Sequence, residues 1–161
     1  MENVLNPCHP RAVCGALLLC LLAAPVMADE DLDGLSDDWE IAHFGALNLA
    51  DSRSDLDGNG ICDLTEFLAG TDPNNPEEYP VLEIHPAAPG LIVSFEAKRA
   101  FGDGYENRSR SYTLMQCDDL AAGTWTSVPG HENIPAADQT VSCDVASATR
   151  GVFYRTEIQL D

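Results

Sequence analysis

Two twelve-residue segments, 29–40 and 55–66, carry acidic and amide side chains at the spacing that suits a calcium ion. Both match the pattern D-x-[DN]-x-[DN]-G-x5-E without exception. Calcium takes about six to eight oxygen ligands, which such a loop supplies from side chains at positions 1, 3, 5, 9 and 12 and from the carbonyl at position 7. The glycine at position 6 allows the sharp turn, because it adopts positive φ without a Cβ clash.

The predicted ligands follow directly from these positions. The side chains are Asp29, Asp31, Asp33, Asp37 and Glu40 in the first loop, and Asp55, Asp57, Asn59, Asp63 and Glu66 in the second. The carbonyls of Leu35 and Ile61 complete the two sets. Carboxylates this close repel one another, and a cation removes that penalty. The alternative is an acidic, solvated turn region without an ion. Extracellular modules often bind calcium with a Kd of about 10⁻⁴–10⁻³ M, so we expect structural sites rather than sensors.

The elements around the loops are short. Segments 37–46 and 63–69 predict helices that leave the two loops, with Gly45 and Gly70 as stops. Their aromatic residues predict a small core. So small a unit buries little surface, and we expect the ions to hold segment 29–75 together.

The chain beyond this unit changes character. A Pro-rich linker is predicted at 76–81, followed by a β domain at 82–161. The predicted strands are 82–86, 91–97, 111–117, 124–128, 140–145 and 152–160. The predicted fold is therefore mainly β, with a calcium-loop unit and two short helices followed by an antiparallel β-sandwich of fibronectin type III or immunoglobulin-like character.

Segment 1–28 reads as a secretory signal peptide. Arg11 precedes an apolar run at 12–24, and Val26-Met27-Ala28 offers a small-x-small cleavage pattern. The run is shorter than the ~20 residues that span a bilayer. A short membrane anchor is the alternative. We expect no transmembrane segment in the mature chain, and a secreted, cell-surface or periplasmic location.

Charge and cysteine content narrow the function classes. The net charge is −19, and segment 29–79 holds fifteen acidic residues against Arg53 alone. No basic surface is available for nucleic acid. Outside segment 1–28 the cysteines are Cys62, Cys117 and Cys143, which fit no zinc framework. A Cys117–Cys143 disulfide and three unpaired thiols both remain open.

A family resemblance appears in the first unit. Residues 31–40 read Asp-x-Asp-Gly-Leu-Ser-Asp-Asp-Trp-Glu, His43-Phe44-Gly45 follows, and 66–73 read Glu-Phe-Leu-Ala-Gly-Thr-Asp-Pro. Segment 29–75 resembles the thrombospondin type 3 repeat segment of exported bacterial proteins, in which the apolar loop residue also stands at position 7. The resemblance implies calcium-stabilised, irregular structure. Asp72 is either an added ligand of a neighbouring ion or a turn former before Pro73. More weakly, segment 82–160 is similar to a β domain appended to such segments.

No catalytic constellation is present in the sequence, so we expect no enzyme. The leading hypothesis is an exported calcium-binding structural or interaction protein. The alternatives are a carbohydrate-binding module with Trp125 or Tyr105 stacking on sugars, and dockerin-like docking onto a protein through the duplicated loops. The expected partners are calcium and a cell-surface protein or polysaccharide. Arg108 and Arg110 are expected in a solvated turn.

Overall fold

The computed structural model describes residues 29–146 and 151–161, so the predicted signal peptide lies outside the described residues. The chain is mainly β, with antiparallel sheets and two short helices. The helices are α1, Asp37–Phe44, and α2, Asp63–Ala69. The strands are β1 Leu82–Ala87, β2 Gly90–Ala97, β3 Arg110–Cys117, β4 Thr126–Ser127, β5 Ile134–Pro135, β6 Gln139–Val145 and β7 Phe153–Leu160.

Each helix begins where a loop ends and stops at a glycine. Acidic residues in the first turn of α1 favour its start, because the helix N-terminus carries partial positive charge. Gly45 has φ of 79° and its N–H bonds to the carbonyls of Glu40 and Ile41. Helix α1 therefore ends two residues before the predicted boundary, since the left-handed glycine closes it. Gly70 closes α2 in the same conformation, with φ of 77°.

The strands form two antiparallel sheets. One has the order β1-β2-β6. In the other, β3 pairs with β7 on one edge and with β4 and β5 on the opposite edge. On that opposite edge, the N–H of Leu114 donates to the His131 carbonyl, and the Leu114 carbonyl accepts the N–H of Val128.

Side chains from both sheets form one hydrophobic core. Val93, Phe95 and Ala97 alternate along β2, and Tyr112 and Leu114 alternate along β3, as expected for strands with one buried face. The six predicted strands match observed ones within two residues. The structure adds β5, whose two residues carry no periodic signal. Cys62, Cys117 and Cys143 are free, which matches the unpaired alternative.

A second core joins the loop unit to the sheets. It contains Leu35, Trp39, Ala50 and Phe67 together with Tyr105, which comes from the β2–β3 connection at 98–109. The Phe67 and Tyr105 rings stack, with centroids 5.1 Å apart. The small aromatic core predicted for the helices is present, and the β part of the chain completes it.

Candidate metal centre

The first loop brings three carboxylates together. Asp29, Asp31 and Asp33 each offer an oxygen within 4.8 Å of the others. The loop backbone holds them there, because the Asp29 carboxylate accepts the N–H groups of Asp33 at 3.1 Å and of Gly34 at 3.2 Å. The Asp33 carboxylate accepts the N–H of Leu35 at 2.8 Å. These bonds leave further carboxylate lone pairs free for a cation.

Glu40, at position 12 of the first loop, is fully buried without a hydrogen-bond partner. Its side chain is 0% exposed, and neither carboxylate oxygen has a partner. Asp33 Oδ2 is buried and unpartnered too. Burial raises the pKa of Glu40 to about 7, and the charges of Asp33 and Asp31 add to the effect. A buried anion without a donor is costly unless a cation neutralises it.

The second loop also holds its side chains through backbone hydrogen bonds, and it has an amide, Asn59, at position 5. Asp55 accepts the N–H groups of Gly58 and Gly60, both at 2.9 Å. Asn59 Nδ2 lies 3.2 Å from Asp57 Oδ2 and 3.4 Å from Glu66 Oε1. The Asn59 amide at position 5 therefore contacts the carboxylates at positions 3 and 12, and its oxygen accepts the N–H of Ile61 at 2.7 Å.

Glu66 is the counterpart of Glu40. It is 0% exposed, and its Oε2 atom has no partner, while Oε1 accepts the Thr71 hydroxyl at 3.2 Å. Burial raises the pKa of Glu66 to about 7 against the lowering effect of the Thr71 hydrogen bond, and the charges of Asp57 and Asp63 raise it further. Both loops thus place a buried, electron-rich carboxylate at position 12.

Position 9 has the same role in both loops. Asp37 accepts the N–H of Glu30 at 2.9 Å, and Asp63 accepts the N–H of Leu56 at 3.3 Å. Glu30 and Leu56 are both the second residue of their loops, so each position-9 carboxylate ties the loop end to its start. Asp63 also accepts the Ser54 hydroxyl. Both aspartates are buried, and these bonds show that they stabilise the closed shape of each loop. The ligand role predicted for them remains a prediction.

Position 7 has a second function that the ligand pattern does not reveal. The Leu35 side chain is 1% exposed and belongs to the second core, whereas Ile61 is half-buried. The predicted ligand at this position is the carbonyl, so one residue can serve both the ion and the core.

Asp72 makes contacts that suit a turn former. Its Oδ1 accepts the N–H of Asn74 at 3.1 Å and lies 3.6 Å from His43 Nδ1. Burial lowers the pKa of His43, although Asp72 opposes that shift. The added-ligand role remains a prediction.

Two residues lie where the sequence did not place them. Arg110, expected in a solvated turn, is 3% exposed and donates to the carbonyls of Lys98 and Arg99, both at 2.9 Å, and of Phe67 at 3.3 Å. Tyr105, considered as a sugar platform, is 7% exposed and donates to the Phe67 carbonyl at 2.7 Å. Both contact the Phe67 carbonyl near the end of α2, and Arg110 also satisfies two carbonyls of the β2–β3 connection.

Comparison with known proteins found no match among family models, curated proteins or solved structures. Across residues 29–146 and 151–161, no helix has the length and apolar character needed to cross a membrane. The donor chemistry of the two loops indicates which ions they would suit. Oxygen donors with several negative charges favour hard divalent cations over softer ones.

Proposed function

We propose that segment 29–75 is a calcium-binding unit of the thrombospondin type 3 kind, in an exported protein with a structural or interaction role. The observation that carries the proposal is Glu40. Its carboxylate is completely buried, has no hydrogen-bond partner and stands at position 12 of a loop whose Asp29, Asp31 and Asp33 oxygens are grouped. A divalent cation bound by these four carboxylates would offset their negative charge.

The donor set favours calcium over other common cations. Zinc prefers cysteine and histidine ligands, and neither loop offers a cluster of them. Magnesium demands octahedral geometry and keeps several waters. A loop with many carboxylates and a long reach between positions 1 and 12 suits the higher and more flexible coordination of calcium.

The ions would act on the second core. Glu40 lies on α1 one residue from Trp39, and Glu66 lies on α2 one residue from Phe67, and both aromatic rings are core members. A cation in each loop would fix the glutamate of that loop and with it the first turn of the helix that follows. Calcium would thereby rigidify the unit and the surface of the β part that packs on it.

The wider setting follows the sequence reading. A signal peptide at 1–28 would export the chain to a calcium-rich location, at the cell surface, in the periplasm or outside the cell. The two sheets would form a fibronectin type III or immunoglobulin-like domain that meets a surface protein or a polysaccharide.

The alternative functions receive less support. Tyr105 is buried, which removes it as a sugar platform. Trp125 is half-buried, and the Arg155 guanidinium lies 4.4 Å from its ring centroid, so one face of the indole is already covered. Dockerin-like docking remains an alternative, and no contact among the described residues favours it.

Calorimetric titration of the purified, metal-free protein with calcium tests the proposal. We expect binding of two ions with Kd at or below about 10⁻³ M. Glu40→Gln and Glu66→Gln should each weaken one site at least about 10-fold, the scale on which metal affinity responds even to loss of a group that only orients a ligand. The glutamine variants keep the shape of the protonated acid, so the fold should survive.

Glu77→Gln is the matched control, because Glu77 is an exposed glutamate outside both loops. It should bind calcium as the unmodified protein does. The absence of a binding isotherm at millimolar calcium would refute the proposal. So would equal weakening by the Glu77 and Glu40 variants, because general charge rather than the loop geometry would then control binding.

A further inference from the structure

Strand β7 has one open edge. It pairs with β3 along its whole length, from Phe153 opposite Cys117 to Leu160 opposite Arg110. No other strand in the described part of the chain lies against it. An eight-residue strand with a free edge presents a row of unpaired backbone groups.

The hydrogen-bond pattern shows which groups these are. Ser109 and Asp161, at the end of the β3–β7 ladder, exchange both backbone bonds at 2.8 and 2.9 Å. Leu114, opposite Thr156, directs its N–H and carbonyl to the other edge of β3. Antiparallel ladders alternate between bonded and non-bonded pairs. The N–H and carbonyl groups of Tyr154, Thr156 and Ile158 therefore face the open edge.

This edge lacks the features that usually block strand pairing. Proline, lysine and bulges are common protections of edge strands. Strand β1 carries Pro86 and Glu83, whereas β7 contains no proline, glycine or lysine. Its charges are one arginine and one glutamate, so the strand is neutral in a chain of net charge −19. Two copies of this molecule would meet least repulsion along such a strand.

The sequence of β7 is complementary to itself. Within one copy Arg155 forms an ion pair with Glu157 at 2.5 Å. In an antiparallel pair with a two-fold axis at Thr156, Arg155 also lies opposite Glu157 of a second copy, so the two ion pairs would join into one four-charge network across the axis. On the core-facing side, Tyr154 lies opposite Ile158 of the second copy. The outward backbone groups would form about six hydrogen bonds in this register. We propose that two copies of this chain dimerise by pairing their β7 strands about Thr156.

The space beside β7 suits this arrangement. A cavity of about 210 Å³ is lined by Thr156 and Ile158 of β7, by Phe95 of the facing sheet, and by Tyr79 and Val81 ahead of β1. Tyr79 and Val81 are 48% and 47% exposed. The Tyr154 ring of a second copy, opposite Ile158 on the same face, would cover Tyr79 and Val81. The lining of the cavity also includes Glu77, Glu78, Glu96 and Lys98, so the second copy would contact only its apolar part.

Sedimentation equilibrium of the protein in millimolar calcium tests the proposal through a charge swap. The unmodified protein should dimerise. Arg155→Glu and Glu157→Arg each turn two opposite-charge pairs across the two-fold axis into two like-charge pairs. Each should raise the dimer Kd about 10-fold, because two attractions are lost and two repulsions are gained. The double variant Arg155→Glu, Glu157→Arg restores opposite charges and should restore association.

Glu132→Arg is the control and should leave the dimer Kd unchanged, because Glu132 is exposed and lies between β4 and β5, on the edge of β3 opposite β7. Hydrogen exchange on the unmodified protein gives an independent readout: the Thr156 and Ile158 amides should gain protection as protein concentration rises. A protein that stays monomeric up to about millimolar concentration overturns the proposal, because even a weak strand-paired dimer would populate there. A dimer that both single reversals leave intact also overturns it.

Discussion

Glu40 and Glu66 are the residues on which the chemistry of this molecule depends most. Both side chains are 0% exposed, and in both the carboxylate lies among other acidic groups. A neutral core residue would be the cheaper choice at either position, because a buried carboxylate must be protonated or paired. A cation bound as proposed would favour the ionised form of both.

The stability of the metal-free protein should depend on pH through these two glutamates. The pKa of each glutamate is raised from 4.5 to about 7 in the folded protein. Between these values the folded state holds protons that the unfolded chain has released. The free energy of unfolding of the metal-free protein should therefore fall as pH rises from about 4.5 to 7, and should then level off.

If calcium binds as proposed, it should reverse this trend, because metal binding requires the ionised carboxylates. The rise in Tm caused by millimolar calcium should be largest above about pH 7 and should shrink towards pH 5. Thermal melts of the metal-free and calcium-loaded protein across this range provide the measurement. A calcium effect independent of pH would show that neither glutamate is a ligand. The Glu40→Gln, Glu66→Gln double variant should lose most of both slopes.

At the scale of elements, the β2–β3 connection is the part that ties the loop unit to the sheets. The last carbonyls of a helix have no partner within it. For α2, Tyr105 and Arg110 donate to the Phe67 carbonyl, and the Tyr112 hydroxyl donates to the Ala69 carbonyl at 3.2 Å. The Arg110 guanidinium also complements the negative end of the helix. The sheets thus provide the C-terminal cap of α2.

The close approach at Gly104 gives a prediction for this connection. Gly104 has φ of 80°, and a Cβ built on it would lie 2.6 Å from Trp39 Cβ. Gly104→Ala should lower the free energy of unfolding by about 1–3 kcal/mol more than strain alone, because α1 must shift. Gly102→Ala is the matched control, since Gly102 also has positive φ and its Cβ would meet nothing within 4 Å. Equal losses in urea unfolding of the two variants would contradict the packing described here.

Local sequence patterns were sufficient to predict most of the helices and strands and the grouping of the carboxylates in the first loop. The helix stops at Gly45 and Gly70 and the alternation in β2 and β3 are short-range signals, and the structure has elements at these places. The grouping of Asp29, Asp31 and Asp33 follows from the turn geometry of a single loop. Whether an ion binds there is a question that pattern alone leaves as a prediction.

The burial of Tyr105 and Arg110 could not be predicted in this way. The Phe67 carbonyl that both contact is 38 and 43 positions away in the chain. Tyr105 lies in no predicted element, and Arg110 directly precedes the strand predicted at 111–117. An arginine beside polar residues reads as exposed, because its ability to satisfy several carbonyls appears only once the helix end is in place. Leu35 is a similar case, since its ligand position conceals a core side chain.

In the whole molecule, a series of contacts connects two hydrophobic cores. The first lies between the sheets, and the second contains the loop unit and Tyr105. Arg110 and Tyr112 lie on the same face of β3 and contact both the β2–β3 connection and the end of α2. Calcium bound at one end of the molecule should therefore stabilise the sheets as well.

Unfolding should then be a single transition. Because the protein has two tryptophans, the Trp125→Phe variant reports on the second core through Trp39 fluorescence, and circular dichroism reports on the sheets. We expect coincident midpoints in both signals, and an equal rise of both when calcium is added. A calcium-dependent fluorescence midpoint with an unchanged dichroism midpoint would show that the two parts unfold independently.

We propose above that buried carboxylates of the two loops bind divalent cations. A crystal structure of the protein grown in millimolar calcium, with anomalous diffraction to locate the metal, tests this most directly. We predict one calcium in each loop, with Glu40 and Glu66 oxygens about 2.3–2.6 Å from the ion. Anomalous maps without a peak in either loop, with Glu40 still buried and unliganded, would contradict the account.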